Sequence, residues 1–187
     1  MPNNRPSPNV TGLAKQQRYI TAHDDRGKSI FSTIDSAAVY EEINHDMDFF
    51  LAYASFDYPV QMQQDSDLTQ YDKAYTGPQL PIVIAGGTVL RVCNFAPGST
   101  TAMHRSLSLD YGIVVAGEVE LLLDSGETRL MKAGDISIQR GTMHAWKTPE
   151  HQTGWSRMVF ILQDAEGLEI GGVALKNDYG GIGPSRN

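Results

Sequence analysis

Between Leu80 and Leu162 the chain is cut into short β-branched or leucine-rich runs, at 81–86, 88–95, 101–104, 111–116, 118–123, 127–131, 135–139, 143–147 and 155–162. Gly, Pro or Asp turns separate them, among them Asp124-Ser125-Gly126 and Ala133-Gly134-Asp135. Runs this short do not provide the two or three turns an amphipathic helix needs, whereas the alternation in Glu118-Val119-Glu120-Leu121 suits a strand with one face in a core. Many closely spaced short strands predict an all-β sandwich or barrel and argue against alternating strands and helices. Ahead of this region, Tyr19-Ile20-Thr21 and Ser29-Ile30-Phe31-Ser32-Thr33 flank Asp24-Asp25-Arg26-Gly27, the composition of a β-hairpin turn.

The rest of the chain is less regular. Residues 1–15 hold three prolines and little periodic apolar character and read as a mobile leader. A short helix is expected from Asp35 through Glu42, a strand over 49–53 and a polar loop over 61–76. From Gly167 to Gly181 five glycines predict an irregular tail. The organisation expected is a leader (1–15), an extension packing on the barrel (16–79), a barrel core (80–166) and a tail (167–187), with no solenoid repeat.

Composition removes several function classes. Fifteen Lys and Arg against 22 Asp and Glu give a net charge of −7, and no basic cluster is present, so nucleic acid is not an expected partner. No apolar run approaches the roughly 18 residues of a membrane span, and the first residues lack the apolar core of a signal peptide. The lone Cys93, flanked by Leu90, Val92 and Phe95, reads as a buried thiol without a disulfide partner. These features predict a cytoplasmic protein in which the Asn9-Val10-Thr11 sequon goes unused. Gly86-Gly87 and Gly171-Gly172 are turns, since no Gly-Lys-Ser/Thr follows to make a phosphate loop.

The chemistry concentrates in two stretches. In the first, Gly98 is followed after five residues by His104, then Ser106, then after three residues Asp110, and after six more Gly117. In the second, Gly134 precedes Arg140-Gly141 and His144. Together, in this order, they resemble the two motifs of the cupin superfamily, and the resemblance covers residues 80–165. It implies a double-stranded β-helix, a jelly-roll barrel with its site inside the mouth, here with an N-terminal hairpin extension and little helix. The family site holds three His and a Glu on a metal. The matching positions here supply His104, Asp110 and His144, with Ser106 replacing a His, Asp replacing Glu, and the second motif one residue shorter.

Two imidazoles and a carboxylate suit zinc, iron, manganese or nickel and leave coordination positions open. The alternative is a metal-free pocket in which the same groups act as acid and base. Ser106 is read as a hydrogen-bond donor to water or substrate. Trp146, two residues beyond His144 on the same strand face, is read as a pocket wall, with Phe160 and Tyr53 as apolar lining and Arg140 as a partner for substrate carboxylates. Arg105, Tyr111, Met103 and Met143 alternate away from the site, and His23, His45 and His151 read as surface residues. The resemblance implies an enzyme acting on a small molecule, expected to be a metal-dependent lyase or isomerase for a hydrophobic or aromatic organic acid or ketone. A non-haem iron dioxygenase and a non-enzymatic small-molecule binding cupin are the alternatives. Exposed edges on the hairpin predict a homodimer.

Overall fold

The computed structural model describes residues 11–34, 40–76 and 80–181. The leader expected over 1–15 therefore falls largely outside the described residues, as do residues 35–39 of the expected short helix. The hairpin forms as β1 (Thr21–His23) and β2 (Ser29–Phe31), with Thr21 opposite Phe31. Asp24 Oδ1 closes its turn by accepting from the amides of Arg26 and Lys28, both at 2.9 Å.

The barrel has two antiparallel walls. One holds six strands in the order β3 (Glu41–Asn44), β4 (Met47–Ser55), β5 (Thr88–Phe95), β11 (Ser156–Asp164), β6 (Ser108–Ala116) and β9 (Ile136–Arg140). The other holds β10 (His144–Lys147), β7 (Glu118–Leu123) and β8 (Thr128–Lys132). The all-β fold is thus as expected. Glu41 and Glu42, expected in a helix, lie in β3. Together with β4 this strand carries the segment before residue 80 into the main sheet, hydrogen-bonded to β5 along Met47–Ser55.

Three local expectations fail. The polar segment after Gln61 is not a loop: a 3-10 turn over Gln63–Asp65 leads into α1 (Ser66–Tyr75), whose Leu68 and Tyr71 are buried. Residues 81–86 form no strand but an irregular connection that tucks Ile84 into the core. Nor is the run at 101–104 a strand: it contributes one isolated bridge, His104 to His144, next to that of Thr100 with Lys147.

Alternation on the strands sends Phe95, Val114, Val119, Met131, Trp146 and Met158 into the barrel interior. Each such burial contributes about 1.5–3 kcal/mol of apolar transfer free energy. A second cluster of Leu51, Ala54, Tyr71, Ile84, Val89 and Leu162 fills the end beneath α1. Between β6 and β7 the chain turns at Gly117 (φ +71°), where an added Cβ would lie 2.6 Å from Ser156 Oγ. The tail makes two short strands, β12 (Glu169–Ile170) and β13 (Val173–Ala174), then straps along residues 103–107. Asn177 Oδ1 accepts from the Leu107 amide at 2.6 Å, Arg105 and Asp178 exchange backbone bonds, and Gly180 (φ +54°) passes so close to the Met103 carbonyl that a Cβ would sit 2.4 Å from it. None of the described helices is long and apolar enough to cross a membrane.

Candidate functional site

The inward faces of the strands leave a cavity whose empty space, counted together with its open mouth, is roughly 800 Å³. His104, Ser106, Asp110, His144, Trp146 and Phe160 all line it. Two residues of the expected site do not. Arg140 lies on the exposed side of β9, because the pleat that turns its neighbour Gln139 inward turns it outward. Tyr53 follows a register shift in β4 and faces α1, where its hydroxyl donates to Asp67 Oδ2 at 2.6 Å and its ring stacks on Tyr71 at 4.7 Å. His45 and His151 are exposed ion-pair residues of the surface.

Reciprocal backbone hydrogen bonds of 2.8 and 2.9 Å between His104 and His144 bring their rings to 4.3 Å, centroid to centroid. Each Nδ1 lies 2.9 Å from the carbonyl two residues earlier, Ala102 for His104 and Thr142 for His144. A carbonyl only accepts, so each Nδ1 carries the proton and each Nε2 keeps its lone pair. Burial depresses both imidazoles; His144, with His104 as a second cause, falls to about 4. Both are therefore neutral at pH 7. Trp146 meets the His144 ring edge-on at 5.4 Å and packs on Phe160 at the same separation.

Asp110 projects from β6 with only 5% of its surface exposed, and its Oδ1 has no hydrogen-bond partner among the described residues. Desolvation raises its carboxyl to about 6, against the opposing effect of the Ser108 hydroxyl. Among the described residues no three His, Cys, Asp or Glu side chains converge closely enough to hold a metal together. The neighbouring donors are the two imidazoles, each oriented by a backbone carbonyl, an arrangement compatible with metal ligation. The carboxyl stands apart from them, on β6 of the six-stranded wall, whereas His144 lies on β10 of the other.

Sequence reasoning missed three lining residues. Gln139 accepts from the Thr142 hydroxyl at 2.5 Å, Thr101 Oγ1 accepts from the Trp146 amide at 2.9 Å, and Arg91 reaches the cavity from β5. Arg91 was detectable in principle, as a charge sharing strand parity with Cys93 and Phe95 inside an apolar run. Cys93 is pushed up to about 12 by burial, which makes it an inert thiol.

Comparison with known proteins shows the family. A cupin-domain-containing oxidoreductase of Hypocrea virens is 38% identical over 85% of this chain and 81% of its own length. The chain belongs to the cupin superfamily. This cupin is also 42% identical to phomopsin biosynthesis cluster protein D of Diaporthe leptostromiformis, over 87% of this chain and 86% of that one. An RmlC-like cupin of Shewanella frigidimarina overlays it with a TM-score of 0.44 at 14% identity, across 68% of this chain and 85% of that chain. No family model matches the sequence.

Proposed function

We propose that this cupin is a small-molecule enzyme that moves a proton on a hydrophobic or aromatic organic acid or ketone, in a lyase- or isomerase-type reaction. The observation that carries the reading is Asp110, a buried carboxyl with an unpartnered oxygen sharing an apolar cavity with two neutral imidazoles. Its pKa of about 6 places it near the operating pH, where a general base is both ionised and basic enough to act. The names of relatives as biosynthesis cluster proteins support small-molecule chemistry.

His104 and His144 are the residues that would hold a divalent ion such as zinc, iron, manganese or nickel. Bound there, it would supply Lewis-acid polarisation of a substrate carbonyl. Asp110 takes the proton from the carbon beside that carbonyl; the C–H electron pair moves to the oxygen as an enolate, and Asp110 returns the proton at a second position or to a leaving group. Ser106, 4% exposed, donates to the substrate oxygen, and Trp146 and Phe160 enclose the apolar body.

The test is deuterium wash-in at the benzylic carbon of phenylpyruvate, followed by NMR under nitrogen. Exchange above the uncatalysed rate, abolished by Asp110→Asn, is expected. A second reading, an oxygen-consuming iron enzyme, is favoured by the oxidoreductase name of the Hypocrea virens relative. It would replace the first if exchange is absent and the iron-loaded protein instead consumes oxygen with this substrate.

A further inference from the structure

Arg91 is a cation in a place where cations rarely sit. It projects from the inner face of β5 with 8% of its surface exposed and lines the same cavity as the imidazole pair and Asp110. The guanidinium is anchored from behind: one terminal nitrogen donates to the carbonyls of Leu80 and Pro81 at 3.2 and 2.7 Å, and the group lies 5.1 Å over the Phe49 ring. Its Nε is buried with no hydrogen-bond partner, and no carboxylate forms a salt bridge with it among the described residues. Glu41 and Tyr179 act on it electrostatically, and Tyr179, brought in by the tail strap, acts on Asp110 as well.

A buried guanidinium with an unmet donor is costly unless an anion completes it. Two carbonyls hold Arg91 in place and Glu41 acts on it only from beyond ion-pair distance, so no carboxylate among the described residues is paired with its planar fork, which fits one. We propose that Arg91 is the specificity-determining residue of this cavity and that it binds the carboxylate of an organic acid whose apolar or aromatic body lies against Phe49, Phe95 and Phe160. This rests on the small-molecule reading above and narrows it from acids or ketones to acids. It also gives the carboxylate-binding role expected of Arg140 to a different residue. Seated there, the acid is fixed at one end, which determines which carbon meets the imidazoles and Asp110.

The experiment compares trans-cinnamate with its uncharged amide by titration calorimetry. Wild-type protein is expected to bind the acid about ten-fold or more tightly than the amide, the scale of one charge-assisted pair. Arg91→Met should abolish that preference while holding the amide within about two-fold, and Arg91→Lys, which retains the charge, should keep part of it. If Arg91→Met does not fold, the Arg91 Nε–H resonance of ¹⁵N-labelled wild type, assigned through Arg91→Lys, should shift with the acid and not with the amide. Equal affinities in wild type, a preference that survives Arg91→Met, or an unmoved Nε resonance overturns the assignment. Acid preference without proton exchange would remove the proposed reaction and leave Arg91 standing; failure of wild type to bind either probe at millimolar concentration overturns both.

Discussion

Asp110 sits where an ionised carboxylate loses its water and gains no full set of donors in return. A native pKa of about 6 against an ordinary 3.8 means that folding favours the protonated form. The associated stability is fully present below the ordinary value and is lost as pH rises through about 6. Across that window the metal-free protein should lose up to about 3 kcal/mol through this group. The nearly isosteric Asp110→Asn carries no such charge, so after chelation it should be about 1–3 kcal/mol more stable than wild type at pH 8 and nearly equal to it at pH 4. Urea melts at the two pH values check this; parallel pH dependence in the two proteins would contradict the buried, unpaired state of Asp110. A residue that costs stability in this way is one whose position is explained by chemistry rather than packing. The motif spacing found it, together with His104, Ser106 and His144, because those four are tied to turns of fixed length. Arg91 belongs to no motif, and only its strand parity marks it. Arg140 fails for the same reason in reverse: its place in the motif suggested the site, while the pleat of β9 turns it outward.

At the scale of elements, β5, β7 and β11 were legible because each is a compact β-branched or leucine-rich run bounded by turn residues. α1 was not. Its sequence, Ser-Asp-Leu-Thr-Gln-Tyr-Asp-Lys-Ala-Tyr, offers only Leu68, Tyr71 and Tyr75 at helical spacing in a polar segment, too little to stand alone. The helix is stabilised from outside: Tyr71 is fully buried, donates to the Leu51 carbonyl at 3.2 Å and stacks on Tyr53. The run at 81–86 failed oppositely. It is apolar enough for a strand, yet its carbonyls at Leu80 and Pro81 are engaged by Arg91, and Gly87 packs so closely on Ser55 that a Cβ would lie 2.1 Å from that carbonyl. Strand order was equally hidden, since the pairing of β11 with both β5 and β6 depends on residues far apart in sequence.

The whole molecule is held together at its N-terminal side by arginines rather than by apolar packing alone. Arg18 lies over the rings of Phe50, Tyr71 and Tyr75 and donates to the Ala52 carbonyl, and Arg157 donates to the Ala14 carbonyl and to Asn94, which in turn donates to Asp48. The hairpin that follows presents Tyr19 and Phe31, 71% and 70% exposed with their rings 6.0 Å apart. We propose that a second copy of the chain covers this pair in a homodimer. Light scattering should give twice the chain mass at micromolar concentration and a lower mass for Phe31→Ser; a wild-type monomer would contradict it. Inside the barrel the proposed reaction divides the labour: two imidazoles would hold a divalent ion, and Asp110 is left free to move a proton. The most direct test is elemental analysis of wild type, His104→Ala, His144→Ala and Asp110→Asn after supply of zinc, iron, manganese or nickel. The account predicts about one ion per chain in wild type and in Asp110→Asn, and loss of the ion in both histidine variants. Metal retained without either histidine, lost with Asp110→Asn, or never taken up by wild type would contradict it.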